Sequence, residues 1–158
     1  MSARINMSDP KKFGHVYGAL LGLSALVRKS TLEPALRELV KVRVSQINGC
    51  AYCLDMHTKD ARAASETEQR LYMVSAWRES PFYTERERAA LEWTEAVTCI
   101  EHEHISDELY ERVRRVFSED ETIALNLAVV EINSWNRFAI AFQAEPGIYQ
   151  PGSSIKHA

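Results

Sequence analysis

The sequence predicts an all-α protein of about seven helices. Three observations carry that prediction. Apolar residues recur at spacings of three and four through most of the chain, capping or breaking residues punctuate those stretches, and no segment alternates apolar and polar residues as a half-buried strand would. No repeat of roughly 20–50 residues and no low-complexity tract disturbs the pattern. A chain of 158 residues can build its own core, so a single domain, 1–158, is expected, with a flexible leader at about 1–10 and an irregular tail at about 145–158.

Each element follows from local pattern. Phe13, Val16, Leu20, Leu23 and Val27 share one face and place a first helix over Lys12–Arg28. Lys11 and Lys12 ahead of the apolar stretch imitate a signal peptide, but Gly18, Gly22 and Ser24 interrupt it and Arg28-Lys29 closes it, so an amphipathic helix is the reading. Leu32, Leu36, Leu39, Val40 and Ile47 form a second stripe, opened by Glu33-Pro34 and stopped by Asn48-Gly49. Arg43 falls inside that stripe and is expected as a snorkelling or ion-paired core residue. A third helix runs from Cys50 to about Ala64.

Ser65-Glu-Thr-Glu68 reads as a capping box opening a helix through Trp77, which Ser80-Pro81 breaks. Thr84-Glu-Arg-Glu87 is a second box, with a helix to about Glu101. Ser106 begins a helix over Asp107–Phe117. Ser118-Glu-Asp-Glu121 is a third box and opens the longest helix, Glu119–Phe142, which is apolar nearly all round and expected to be buried on every side. Pro146, Gly147, Pro151 and Gly152 make the tail irregular.

Composition excludes several functions. A net charge of −3 supplies no basic surface for nucleic acid. No run approaches the roughly 18 apolar residues of a membrane span. Three cysteines are too few, and odd in number, for a secreted disulfide framework. A CxxC in such a chain fits a reducing compartment, here the cytoplasm, where these pairs are catalytic or metal-binding.

The chemistry gathers between Glu38 and His57. Cys50, Cys53 and His57, spaced by three and then four, share one helical face that Leu54, Ala61 and Ala64 continue. The thiolate is the reactive form of cysteine, and a free thiol titrates at about 8.5. Helix N-terminal N–H groups favour an anion at Cys50, whereas His57, one turn beyond Cys53, accepts or shares that residue's proton. Spacing alone leaves open which cysteine attacks. A hydroperoxide attacked by one thiolate gives a sulfenic acid, which the other cysteine condenses to a disulfide.

Other uses of the pair fit less well. Structural zinc wants four ligands, and Cys99, His102 or His104 would have to supply the fourth at an unusual spacing. Haem attachment needs His where Leu54 stands, and a thioredoxin fold needs strands. A buried, purely structural thiol pair is a further alternative. Cys99 is expected in the core, Trp77, Trp93 and Trp135 as core or interface, His102 and His104 as solvated, and Asn133 and Asn136 as satisfied buried polar groups or interface contacts. Tyr52 points off the cysteine face.

Glu38 lies about 150° from the centre of its helix's apolar stripe, so periodicity makes it a surface partner of Lys41. A helical hairpin reversing at Gly49 says otherwise. It sets His57 level with Lys41 and puts Glu38 about 4.5 Å further along the axis, within reach of a glutamate or a glutamate plus water. A functional Glu38 would need its face covered by a helix or another subunit.

With Glu38, Cys50, Cys53 and His57 at these spacings, the chain resembles the AhpD-like alkylhydroperoxidase family within the carboxymuconolactone decarboxylase superfamily. The likeness runs through Val42–Ala61, Ala76-Trp77, Pro81–Thr84 and Asn133–Ala141. It implies an AhpD-like helical fold, a CxxC at a helix N-terminus, a homo-oligomer (trimer or hexamer), and a peroxidase cycling between dithiol and disulfide. It implies Cys53 as the peroxidatic cysteine, Cys50 as the proton donor and resolving partner, and His57 and Glu38 as a proton relay. Tyr52 departs from the family pattern, which carries His between the cysteines. Members without the cysteine pair are decarboxylases.

The expectation is thus a cytoplasmic, thiol-dependent hydroperoxide reductase with catalytic Cys53, Cys50, His57 and Glu38. It needs no metal or cofactor, and its partners are a small hydroperoxide, an external dithiol reductant and copies of itself. The alternatives are a thiol–disulfide sensor or exchange protein, a zinc-stabilised module, or a decarboxylase-like lyase acting through Glu38 and His57.

Overall fold

A computed structural model of the chain describes residues 3–6, 9–102 and 104–152. Among them are seven α-helices and no strand: α1 (Pro10–Lys29), α2 (Pro34–Asn48), α3 (Ala51–Ala63), α4 (Glu68–Met73), α5 (Glu85–Thr98), α6 (Asp107–Val116) and α7 (Glu119–Phe142). A single 3₁₀ turn, Val74–Ala76, follows α4. No described helix is long and apolar enough to cross a membrane.

Caps fix most of the boundaries. The Asp9 carboxylate accepts the Lys11 N–H at 3.0 Å and opens α1, while Arg28 and Lys29 complement the helix dipole in its last turn. Thr84 with Glu87 and Ser118 with Glu121 form complete capping boxes at α5 and α7. Gly49, in the left-handed conformation at φ 69°, ends α2 and returns the chain as α3, with the Cys50 N–H donating to Ser45 O at 3.0 Å.

α2 is the central helix. It packs on α3, α5 and α7. Leu36, Val40 and Val44 enter a core with Val27, Trp93, Leu125, Val129 and Ile132. Leu39 and Val42 enter a second core with Ala61, Leu71, Val74, Trp77 and Leu91. Burying each of the larger side chains is worth about 1.5–3 kcal/mol.

Polar networks register the helices. Asn48 Nδ2 donates at 2.9 Å to the side-chain oxygens of both Asn133 and Asn136, and Asn136 Nδ2 donates to Ser45 Oγ at 3.2 Å, so both α7 asparagines are satisfied, Asn136 buried and Asn133 half-buried. Arg43 is ion-paired as expected, to Glu95 at 2.7 Å. Glu95 also accepts from Trp77 Nε1 at 2.8 Å and pairs with Arg78. Burial alone would raise the Glu95 carboxyl, but these three donors hold it below the ordinary range.

Several expectations are corrected. Within the expected leader, the Arg4 N–H donates to Phe142 O at 2.9 Å. Residues 1, 2, 7, 8 and 153–158 of the expected leader and tail lie outside the described residues. Ser65 caps nothing; it takes φ 74° at the end of α3, the Glu66 N–H donates back to Ala61 O, and Thr67 caps a shorter α4. Ala64, expected on the buried stripe, is exposed there. α5 stops at Thr98, and Cys99 is half-buried at its C-cap rather than in the core. α7 is not buried on all sides: Ile123, Val130 and Ile140 are exposed.

Glu95→Ala leaves Arg43 and Trp77 without their shared acceptor and is expected to cost about 3 kcal/mol, whereas Arg78→Ala, on the side chain's exposed side, is expected to cost under about 1 kcal/mol. Urea unfolding monitored by circular dichroism checks both.

Candidate active site

The reversal at Gly49 builds the site. Cys50 is the N-cap of α3, and its sulfur accepts the Cys53 N–H at 3.3 Å. Cys50 and Cys53 are joined as a disulfide, and both are buried. His57 follows one turn later on the same face and is buried beside them.

Glu38 meets His57 across the hairpin. Its Oε2 lies 2.9 Å from His57 Nδ1, and its Oε1 accepts from Lys41 Nζ at 3.1 Å. The offset inferred from helix rise closes directly, without a water. Burial would raise the Glu38 carboxyl, but the His57 hydrogen bond and charge, followed by Lys41, hold it at about 2 against an ordinary 4.5. An ionised Glu38 fixes the imidazole proton on Nδ1 and leaves the Nε2 lone pair to exchange a proton elsewhere. Within its own chain Glu38 is half-buried, its carboxylate held between His57 and Lys41.

Cys53 and the Glu38–His57 pair face a cavity of about 540 Å³ walled by Ala3, Ile5 and Asn6, by α1, α2, α3 and α7, and by the tail. Cys53, His57 and Glu38 line it; Cys50 does not. Tyr52, expected off the cysteine face, also lines it. Burial, then Asp55, raises the Tyr52 phenol, so it stays protonated. The tail is tied down over this wall. The Gly147 N–H donates to Asp55 at 2.9 Å, Lys59 Nζ donates to Tyr149 O at 3.0 Å, and the Tyr149 hydroxyl donates to Asp60 at 2.5 Å. Burial, then the Asp60 hydrogen bond, pushes the Tyr149 phenol far up.

The sequence reading missed Asp60, Tyr149, Glu131 and Tyr17, all of which line the cavity, and took Trp135 only as core or interface. One signal was available for Glu131: a lone acid within the apolar run of α7. Among the described residues the cluster able to gather a metal ion is Glu38, His57 and Asp60, with ligand atoms within 4.8 Å of one another. Cys50, Cys53, Cys99, His102 and His104 are not part of that cluster. His102 and His104 are exposed, as expected.

The model of the carboxymuconolactone decarboxylase family matches residues 14–96, a span holding all four residues above. The chain belongs to this family. It is 48% identical over 122 residues to the uncharacterised YdfG of Bacillus subtilis, covering 77% of this chain and 83% of that one. A solved structure from Agrobacterium tumefaciens, a protein of unknown function proposed as the antioxidant defence protein AhpD, superposes with a TM-score of 0.88 at 40% identity, covering 94% of this chain and 100% of that one. The fold is therefore AhpD-like and all-α. The debrominase Bmp8 shares that fold at a TM-score of 0.74 and 21% identity, over 87% of this chain and 74% of its own.

The Glu38 contribution to stability has a definite pH window. A carboxylate held at about 2 in the folded state and near 4.5 otherwise stabilises fully above about 4.5, and that stability drains away as pH falls toward 2. The gap in urea midpoint between wild type and Glu38→Gln is expected to be widest near neutrality and to narrow over that interval.

Proposed function

We propose that this protein is a thiol-dependent hydroperoxide reductase in which Cys53 attacks, Cys50 resolves, and His57 with Glu38 relays the proton. The observation that carries the reading is that Cys53, and not its partner, faces the cavity together with the His57–Glu38 pair. The AhpD-antioxidant proposal for the Agrobacterium neighbour supports the same reading.

The cycle balances as follows. The Cys53 thiol gives its proton to His57, and the thiolate attacks the terminal oxygen of ROOH. An S–O bond forms, the O–O bond breaks, and the departing alkoxide takes a proton from the relay to leave as ROH. Cys50 then attacks the sulfenic sulfur, an S–S bond forms as the S–O bond breaks, and the proton that the Cys50 thiol gives up leaves with the hydroxide as water. An external dithiol reduces the disulfide and restores the two thiols. Burial of Glu38 as an anion keeps the imidazole oriented throughout. Thiol and peroxide exchange all the electrons, so the cycle uses neither metal nor flavin. A cytoplasmic setting would supply the reductant. We read the working form as a homo-oligomer, trimer or hexamer, for which the exposed Ile123, Val130 and Ile140 of α7 offer an apolar surface.

Pre-reduced protein given one equivalent of cumene hydroperoxide is expected to lose two hydrogens by intact mass and both thiols of the pair. Cys53→Ser abolishes this. Cys50→Ser stops at a product one oxygen heavier. Glu38→Gln is expected to slow the step by about 10²-fold or more. Peroxide left unconsumed with both thiols intact would overturn the reading, and activity on another substrate surviving Cys53→Ser would transfer it to a lyase using Glu38 and His57.

A further inference from the structure

Three cations line the cavity and have no role in the chemistry above: Arg28 from the last turn of α1, and Arg37 and Lys41 from the first half of α2. Arg37 is the one held in place. Its Nη1 donates to the carbonyl oxygens of Val27, Arg28 and Leu32 at 3.3, 3.0 and 3.1 Å, which orients the guanidinium against the end of α1. Its Nε and Nη2 make no hydrogen bond among the described residues, and neither is a buried atom. Those two nitrogens form the edge that presents parallel N–H donors to both oxygens of a carboxylate.

Elsewhere the fold fills that edge with its own acids. Arg86 gives Nε and Nη2 to the two oxygens of Glu33 at 2.9 and 3.1 Å, and Arg112 gives the same pair to Glu92 at 3.1 and 2.9 Å. No acid of the cavity wall does this for Arg37. Glu38 is held by His57 and Lys41, Asp60 accepts from Tyr149, and Glu131 accepts from Ser24. Glu145, exposed on the tail, pairs with neither arginine. Arg28 is exposed, and its side chain has no partner among the described residues. Leu21, Met56 and Trp135 make other parts of the wall apolar. The hairpin register sets the scale. With His57 level with Lys41, Cys53 stands level with about Ser45, which puts Arg37 roughly 12 Å away along the helix axis.

We infer that Arg37 is a specificity residue: its Nε and Nη2 seat a carboxylate, so the preferred hydroperoxides are long-chain acids whose peroxide group lies far from the carboxylate. The choice of a hydroperoxide rests on the peroxidase reading; the carboxylate seat does not. Arg28 and the uncommitted N–H groups of Lys41 add positive charge around the seat. A neutral amide of the same shape binds there less well, because it offers one oxygen and turns an N–H toward the guanidinium. Arg37→Gln removes the paired edge and the charge; Arg37→Lys keeps the charge and removes the edge.

The test titrates octanoate and decanoate, each against its primary amide, calorimetrically into reduced protein. Wild type is expected to bind at least one acid about tenfold or more tightly than its amide. Arg37→Gln is expected to bring that ratio close to one, and Arg37→Lys to leave it well below the wild-type value. Acids and amides of equal affinity in wild type overturn the inference, even if the variants do not fold. So does an Arg37→Gln protein that keeps the preference, because the anion would then sit on Arg28 or Lys41. If neither variant folds, a crystal structure of wild type with decanoate decides: a carboxylate on Nε and Nη2 of Arg37 upholds the inference, and any other seat, or none, overturns it. None of these ligands exchanges electrons with Cys53. A preference for the acids without any consumption of cumene hydroperoxide would sink the peroxidase reading and leave the carboxylate seat standing, whereas peroxide consumption with acids and amides bound alike would do the reverse.

Discussion

The left-handed turn at Gly49 is the constraint on which the site depends. A residue at φ 69° lets α2 end and α3 begin within one turn, so the two helices run back along each other. The reversal does three things at once. It makes Cys50 the N-cap of α3, sets Cys53 one turn into that helix, and swings His57 back to a glutamate 19 positions earlier. A side chain with a Cβ would strain this turn, although nothing lies within 4 Å to obstruct it. The requirement is on the backbone, not on space.

Around that hairpin, the polar network and the cores divide the work. The cores on the two sides of α2 hold it between α7 and α3 without fixing its rotation or height very finely, because hydrophobic burial is non-directional. Direction comes from the amides. Asn48, the last residue of α2, is gripped by two asparagines of α7, and Ser45 by one of them. These bonds sit immediately before the turn, so they hold the start of α3, and with it both cysteines, against the longest helix.

How much of this the sequence disclosed depended on the range of the interaction. The cysteine face follows from spacing along one helix, and the Glu38–His57 contact from helix rise plus a single reversal; both are local arithmetic. Ser65 shows the limit of local pattern. The S-x-x-E spelling is present, but the preceding helix needed a left-handed residue to finish, took Ser65 for it, and left the cap to Thr67. α7 shows another. Its apolar residues go most of the way round, but the chain has partners on only part of that circumference. The cavity was least legible, since its wall joins residues from four helices, the N-terminal stretch and the tail that no periodicity links.

The tail over that wall has a stability of its own. Residues 147 and 149 are tied to α3 through Asp55, Lys59 and Asp60, a few polar contacts at the edge of solvent, whereas the α2–α3 hairpin is anchored in two buried cores. Local opening free energies follow such differences. Hydrogen exchange in this chain should therefore be graded rather than uniform, with the tail amides exchanging long before those of α2. The tail side of the cavity wall is thus expected to open more readily than the hairpin that holds the sulfurs.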